Sequence, residues 1–68
     1  MKNRFNVGDR LAFQSPYNSQ WIVGKVINIT NELSNTYLVN DENELMWNVP
    51  DSYAVTYEEG LVSRVVYG

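Results

Sequence analysis

Short β-type runs of apolar and polar residues, separated by Gly, Pro, Asn, Asp and Ser, extend along the chain. This rhythm predicts β-strands and turns rather than helices. The first run is 9–14, Asp-Arg-Leu-Ala-Phe-Gln, entered through a tight turn at Val7-Gly8-Asp9. Ser15 to Gln20, with Pro16, Asn18 and Ser19, has loop chemistry. Trp21 to Thr30 is the longest run, and its Ile and Val residues favour a strand. Gly24 inside it predicts a bend or bulge. After a turn at 31–35 come Thr36 to Asn40, a turn at Asp41-Glu42-Asn43, and Glu44 to Val49. Tyr37 and Val39 alternate with Leu38, and Leu45, Trp47 and Val49 with Met46 and Asn48, which predicts a hairpin with one buried face. Phe13 and one of Tyr37 or Leu38 are assigned to the core.

Pro50-Asp51-Ser52 breaks the pattern and predicts a short 3₁₀ turn, followed by a fifth strand at Ala54 to Tyr57. Glu58-Glu59-Gly60 reads as a turn into a further β segment, Leu61 to Tyr67. Its apolar residues would make an unguarded edge if left unpaired. The expectation is that it pairs with the open edge near the first strand or with the same segment of a second copy. Ser52 to Glu59 could pass for the start of a helix, but Val55, Thr56 and Tyr57 argue against it.

At 68 residues the chain has room for one domain, with a small core and correspondingly marginal stability. It has no Cys and no His, which removes disulfides, thiolate metal sites and the usual zinc sites. The commonest catalytic bases and nucleophiles go with them. No catalytic residue, cofactor site or metal site is assigned. Carboxylate pairs remain at Asp41, Glu42 and Glu44 and at Glu58 and Glu59, but both sit in predicted turns that cannot enclose a cleft. No apolar stretch is long enough for a membrane span, and no signal peptide is evident, so a cytoplasmic location is expected.

Net charge is −3, and its distribution is uneven. Between Lys25 and Arg64 there is no cation, while Glu32, Asp41, Glu42, Glu44, Asp51, Glu58 and Glu59 fall in that interval. Such a stretch disfavours nucleic acid. It is either a solvated face that maintains solubility or a docking surface for a basic partner.

Two Phe, five Tyr and two Trp are more aromatic side chains than a core this small absorbs. Tyr17 lies in the first loop, Trp21 opens a strand, and Trp47 and Tyr53 flank the 3₁₀ turn. Trp21 and Trp47 either fill the ends of a barrel or join the others in a groove suited to a Pro-rich peptide or a methylated cation.

Five short strands with a Pro-containing 3₁₀ turn before the last resemble the SH3-like barrel. The resemblance covers residues 5–57 and rests on Gly8-Asp9-Arg10, on Trp21 with Gly24-Lys25-Val26, on Tyr37-Leu38-Val39, and on Trp47-Asn48-Val49-Pro50. Tudor, chromo-type, plasmid reductase and phage accessory barrels share this wording. Type II dihydrofolate reductases of plasmids are similar at Gly8-Asp9-Arg10, Trp21 and Gly24. Where they carry a ligand-contacting Val-Gln-Ile-Tyr run before a Pro, this chain has Met46-Trp47-Asn48-Val49, so their activity does not carry over.

The resulting expectation is an all-β single domain spanning 1–68: a small SH3-like barrel of five short antiparallel strands with one 3₁₀ turn, plus a C-terminal β segment. Its expected role is a non-catalytic interaction module, of the kind found among phage or mobile-element accessory proteins. It would bind a protein, basic or a peptide, through Tyr17, Trp21, Trp47, Tyr53, Asp41, Glu42 and Glu44. A homo-oligomeric structural or accessory protein is the alternative, and a reductase of the plasmid type a distant third.

Overall fold

The computed structural model describes residues 4–31 and 35–67. Most of the expected turn at 31–35 lies outside them. Five antiparallel strands form one sheet: β1 (Arg10–Gln14), β2 (Trp21–Asn31), β3 (Thr36–Asp41), β4 (Met46–Pro50) and β5 (Val55–Thr56). Their order is β4-β3-β2-β1-β5, so β4 and β5 are the edges. A 3₁₀ turn, Asp51–Tyr53, joins β4 to β5, and an α-helix, α1 (Tyr57–Tyr67), ends the chain. The strands and the 3₁₀ turn fall close to where the alternation placed them.

One face of the sheet carries the core: Leu11 and Phe13 of β1, Val26 of β2, Tyr37 and Val39 of β3 and Val49 of β4, closed by Phe5 and Ala54. Both expected core positions are filled, by Phe13 and by Tyr37 rather than Leu38. The sheet is strongly curled. Phe13 of β1 and Trp47 of β4 stand three strand spacings apart along the sheet, roughly 14 Å if it were flat. Their rings nevertheless meet at 5.4 Å.

The C-terminal β segment is overturned: Leu61 to Tyr67 belongs to α1. The β-branched residues that suggested a strand are outweighed by a helix start and a packing face. Thr56 accepts a hydrogen bond at Oγ1 from the Glu59 amide at 3.2 Å, capping the first turn. Thr56 and Glu59 have the spacing of a capping box. Glu58 and Glu59 sit at the positive end of the helix and Arg64 at the negative end. Gly60 is buried against β1, where a Cβ would overlap that of Ala12. Glycine, poor for a helix interior, is what lets α1 lie directly on the strand. Ala12, fully buried on the face of β1 away from the core, is covered in this way. The helix packs on β1, β2 and β5.

Gly24 marks no bulge. The irregularities of β2 against β3 lie further on, between Val26 and Asn28 and between Ile29 and Asn31. A Cβ on Gly24 would come within 2.8 Å of the Asn40 carbonyl oxygen and meet the Val39 side chain, so the glycine serves close strand packing. Among the described residues no helix is long and apolar enough to cross a membrane.

Candidate binding cleft

The curl of the sheet brings the end of β1, the β1–β2 loop, β4 and the 3₁₀ turn around one cleft of about 580 Å³. Its apolar walls are Phe13, Pro16, Trp21, Trp47, Pro50 and Tyr53, and its polar atoms come from Gln14, Ser15, Ser19, Asn48 and Ser52. No charged side chain lines it. Of the residues singled out from the sequence, Trp21, Trp47 and Tyr53 line this space. Tyr17 stands beside it with its ring 6.2 Å from that of Trp47, and it remains 87% exposed. An aromatic ring held so far into solvent is available for contact.

Each wall is fixed by local chemistry. In the β1–β2 loop the Ser15 amide donates to the Gln20 carbonyl at 2.8 Å, and the Ser19 amide to the Ser15 carbonyl at 2.9 Å. Ser15 Oγ accepts from the Tyr17 amide, and Asn18 Oδ1 from the Gln20 amide, the side-chain turns that Ser and Asn favour. The loop therefore holds Pro16 in place. The opposite wall, the 3₁₀ turn, is pinned through Asp51. The buried Tyr37 hydroxyl donates to Asp51 Oδ1 at 2.6 Å, and Arg4 Nε lies 3.2 Å from both carboxylate oxygens. Arg4 Nη2 also donates to the Asp51 carbonyl at 2.6 Å and to that of Ala54. Burial and the bond to Asp51 raise the Tyr37 pKa above its ordinary value. Tyr53 thus projects from a turn tied to both the N-terminal segment and the core.

The acidic residues lie elsewhere. Asp41 closes the β3–β4 hairpin: Oδ1 accepts from the amides of Asn43 (2.8 Å) and Leu45 (2.9 Å), and Oδ2 accepts from the Trp47 indole Nε1–H at 2.8 Å. Burial opposes ionisation of this carboxyl, but these bonds outweigh it and hold the pKa below the usual value. Asp41 therefore aims Trp47. Glu42 pairs with Arg64 at 2.7 Å, and Arg64 also reaches the Trp21 carbonyl at 3.4 Å, tying α1 to the hairpin and to β2. Glu44 occupies the left-handed position of the hairpin, φ 63°, and is exposed.

Pro16 and Pro50, which the sequence identified only as loop and break, are walls of the cleft, as is Asn48. Their spacing in the sequence carries no sign of this; only the curl that sets β1 against β4 does. A smaller depression of about 280 Å³ mixes both charge signs, with Arg10, Lys25, Asp41 and Glu42. The larger, apolar, uncharged cleft is the better binding candidate. No family model matches this chain, and no curated protein or solved structure matches it significantly.

Proposed function

We propose that the chain is an SH3-like barrel acting as a non-catalytic protein-interaction module, binding an extended peptide segment of a protein partner in the aromatic cleft. The strand order, the curl that brings β1 to β4 and the 3₁₀ turn between β4 and β5 support the barrel. The observation that carries the function is the cleft itself: Trp21, Trp47 and Tyr53 gathered with two prolines in an uncharged space. Flat rings at this spacing fit the ridges of an extended or Pro-rich chain, where contact area rather than charge supplies affinity. A cytoplasmic partner accords with the absence of Cys.

The acidic residues contribute less than their number suggests, since Asp41 and Glu42 are engaged within the fold. Binding should therefore depend only weakly on salt. Both tryptophans line the cleft, so intrinsic fluorescence reads its occupancy. Two ten-residue peptides, one Pro-rich and one of alternating Val and Thr, should be titrated. At least one is expected to shift the emission saturably, and Trp47→Ala to weaken it at least tenfold, about 1.4 kcal/mol. No shift with either peptide at millimolar concentration would reject this reading.

A homo-oligomer is the second reading, favoured by Val62 and Val65, which are 62% and 85% exposed on α1.

A further inference from the structure

The cleft is bordered by β4, an edge strand that among the described residues pairs only with β3. Which of its backbone groups face outward follows from the bonds at its two ends. At the hairpin the Asp41 amide donates to the Leu45 carbonyl at 2.9 Å, and beyond the strand the Asp51 amide donates to the Asn35 carbonyl at 2.9 Å. Antiparallel pairs alternate between bonded and non-bonded. Counting inward from either end gives one answer. Trp47 opposite Val39 and Val49 opposite Tyr37 are the bonded pairs, while Met46 and Asn48 turn their N–H and C=O groups away from β3. Both residues are exposed, and neither backbone has a hydrogen-bond partner among the described residues outside the ladder. Pro50, which has no N–H, ends the row.

Edges are usually guarded by charge or by cover. β4 reads Met-Trp-Asn-Val-Pro without a charged residue, and α1 lies at the other side of the sheet. Side chains opposite Trp47 and Val49 on an added strand would share their face, which is the face of the cleft. Backbone pairing and aromatic contact would thus act on one ligand.

We infer that β4 receives an extended segment of the partner protein as a sixth, antiparallel strand, bonded at Met46 and Asn48 with every second side chain in the aromatic cleft. This rests on the cleft being the binding site. The antiparallel direction follows from the slightly better bonds of that pairing. The partner's chemistry follows from charge. The cleft is neutral, and Glu44, exposed just before β4, makes no ion pair among the described residues. A strand antiparallel to β4 brings its C-terminal side to Glu44, so a Lys or Arg there is complementary. A second copy of the chain would instead approach with the same net charge of −3.

The probe is an acetylated heptapeptide, Thr-Val-Thr-Val-Thr-Val-Lys, with a set carrying one N-methyl group at each position in turn. Binding is expected to protect the Met46 and Asn48 amides from hydrogen exchange. N-methylation should abolish binding at alternate positions and be tolerated between them. The heptapeptide should also bind more tightly than the Pro-rich peptide, which lacks donors. Glu44→Lys should weaken it roughly two- to fivefold and strengthen a Glu-ended version similarly. A fluorescence shift without protection at Met46 and Asn48, or with no alternation in the N-methyl series, overturns strand addition and leaves the cleft reading standing. No fluorescence shift with either peptide rejects both. Protection of the two amides in the peptide-free protein, together with a dimer mass, assigns the edge to a second copy and also overturns the proposal.

Discussion

Asp41 holds the hairpin and aims a tryptophan with the same carboxylate, and Tyr37 and Asp51 hold the 3₁₀ turn from below. These two anchors respond to pH in opposite directions. The folded pKa of Asp41 is depressed, so its contribution is complete above the unfolded value near 4 and is lost as pH falls through the folded value. The folded pKa of Tyr37 is raised, so its contribution is complete below about 10 and is lost as pH rises through the folded value. Asp41→Asn should lower stability at pH 7 by about 1 kcal/mol, by leaving the Trp47 indole without its acceptor. Denaturant unfolding at pH 7 and at pH 2.5 checks this: the gap between the two proteins should narrow at the acid pH. Tyr37→Phe should remove the alkaline loss above pH ~10, at a cost of about 1–2 kcal/mol at neutral pH. An equal gap at all pH values would mean that these groups act by packing alone.

Among the elements, α1 separates what periodicity reveals from what it does not. Alternation identified β3 and β4 because each buries one face, and side-chain period then equals strand period, whereas β1 is buried on both faces. The tail misled because Val62, Val65 and Tyr67 have β propensity and because no apolar helical stripe announces its packing face. That face is marked by a glycine, a residue normally counted against a helix. The legible signal was the Thr56 and Glu59 spacing, which straddles the expected fifth strand and the turn after it. The same helix supplies its own test. On propensity alone, Gly60→Ala should stabilise by about 1 kcal/mol. The overlap with Ala12 should reverse the sign, to a loss of about 1–3 kcal/mol in thermal or urea unfolding. Restoring space with Ala12→Gly in the same chain should recover part of it. A stabilised single variant would show that α1 stands off β1.

For the whole molecule, three dispersed features become one site only through curvature. Tyr17 and Trp21 follow β1, Trp47 lies on β4, and Tyr53 ends the 3₁₀ turn, and the sheet folds these positions toward one another. The aromatic surplus was legible in composition, and the resemblance to a barrel indicated where it would gather. The roles of the carboxylates were not legible. A carboxylate in a turn looks the same in sequence whether or not it bonds the chain's own indole or guanidinium, as Asp41 and Glu42 do. The proposed function accordingly concentrates on the cleft and its edge. Amide chemical shifts followed through a titration with the Val/Thr and Pro-rich peptides locate the site directly. Perturbations should centre on Phe13, Gln14, Asn48, Val49, Ser52 and Tyr53 and leave Lys25, Glu42 and Val62 unmoved. Perturbations centred on the hairpin tip or on α1 instead, or none in the cleft, would contradict a partner-binding role for it.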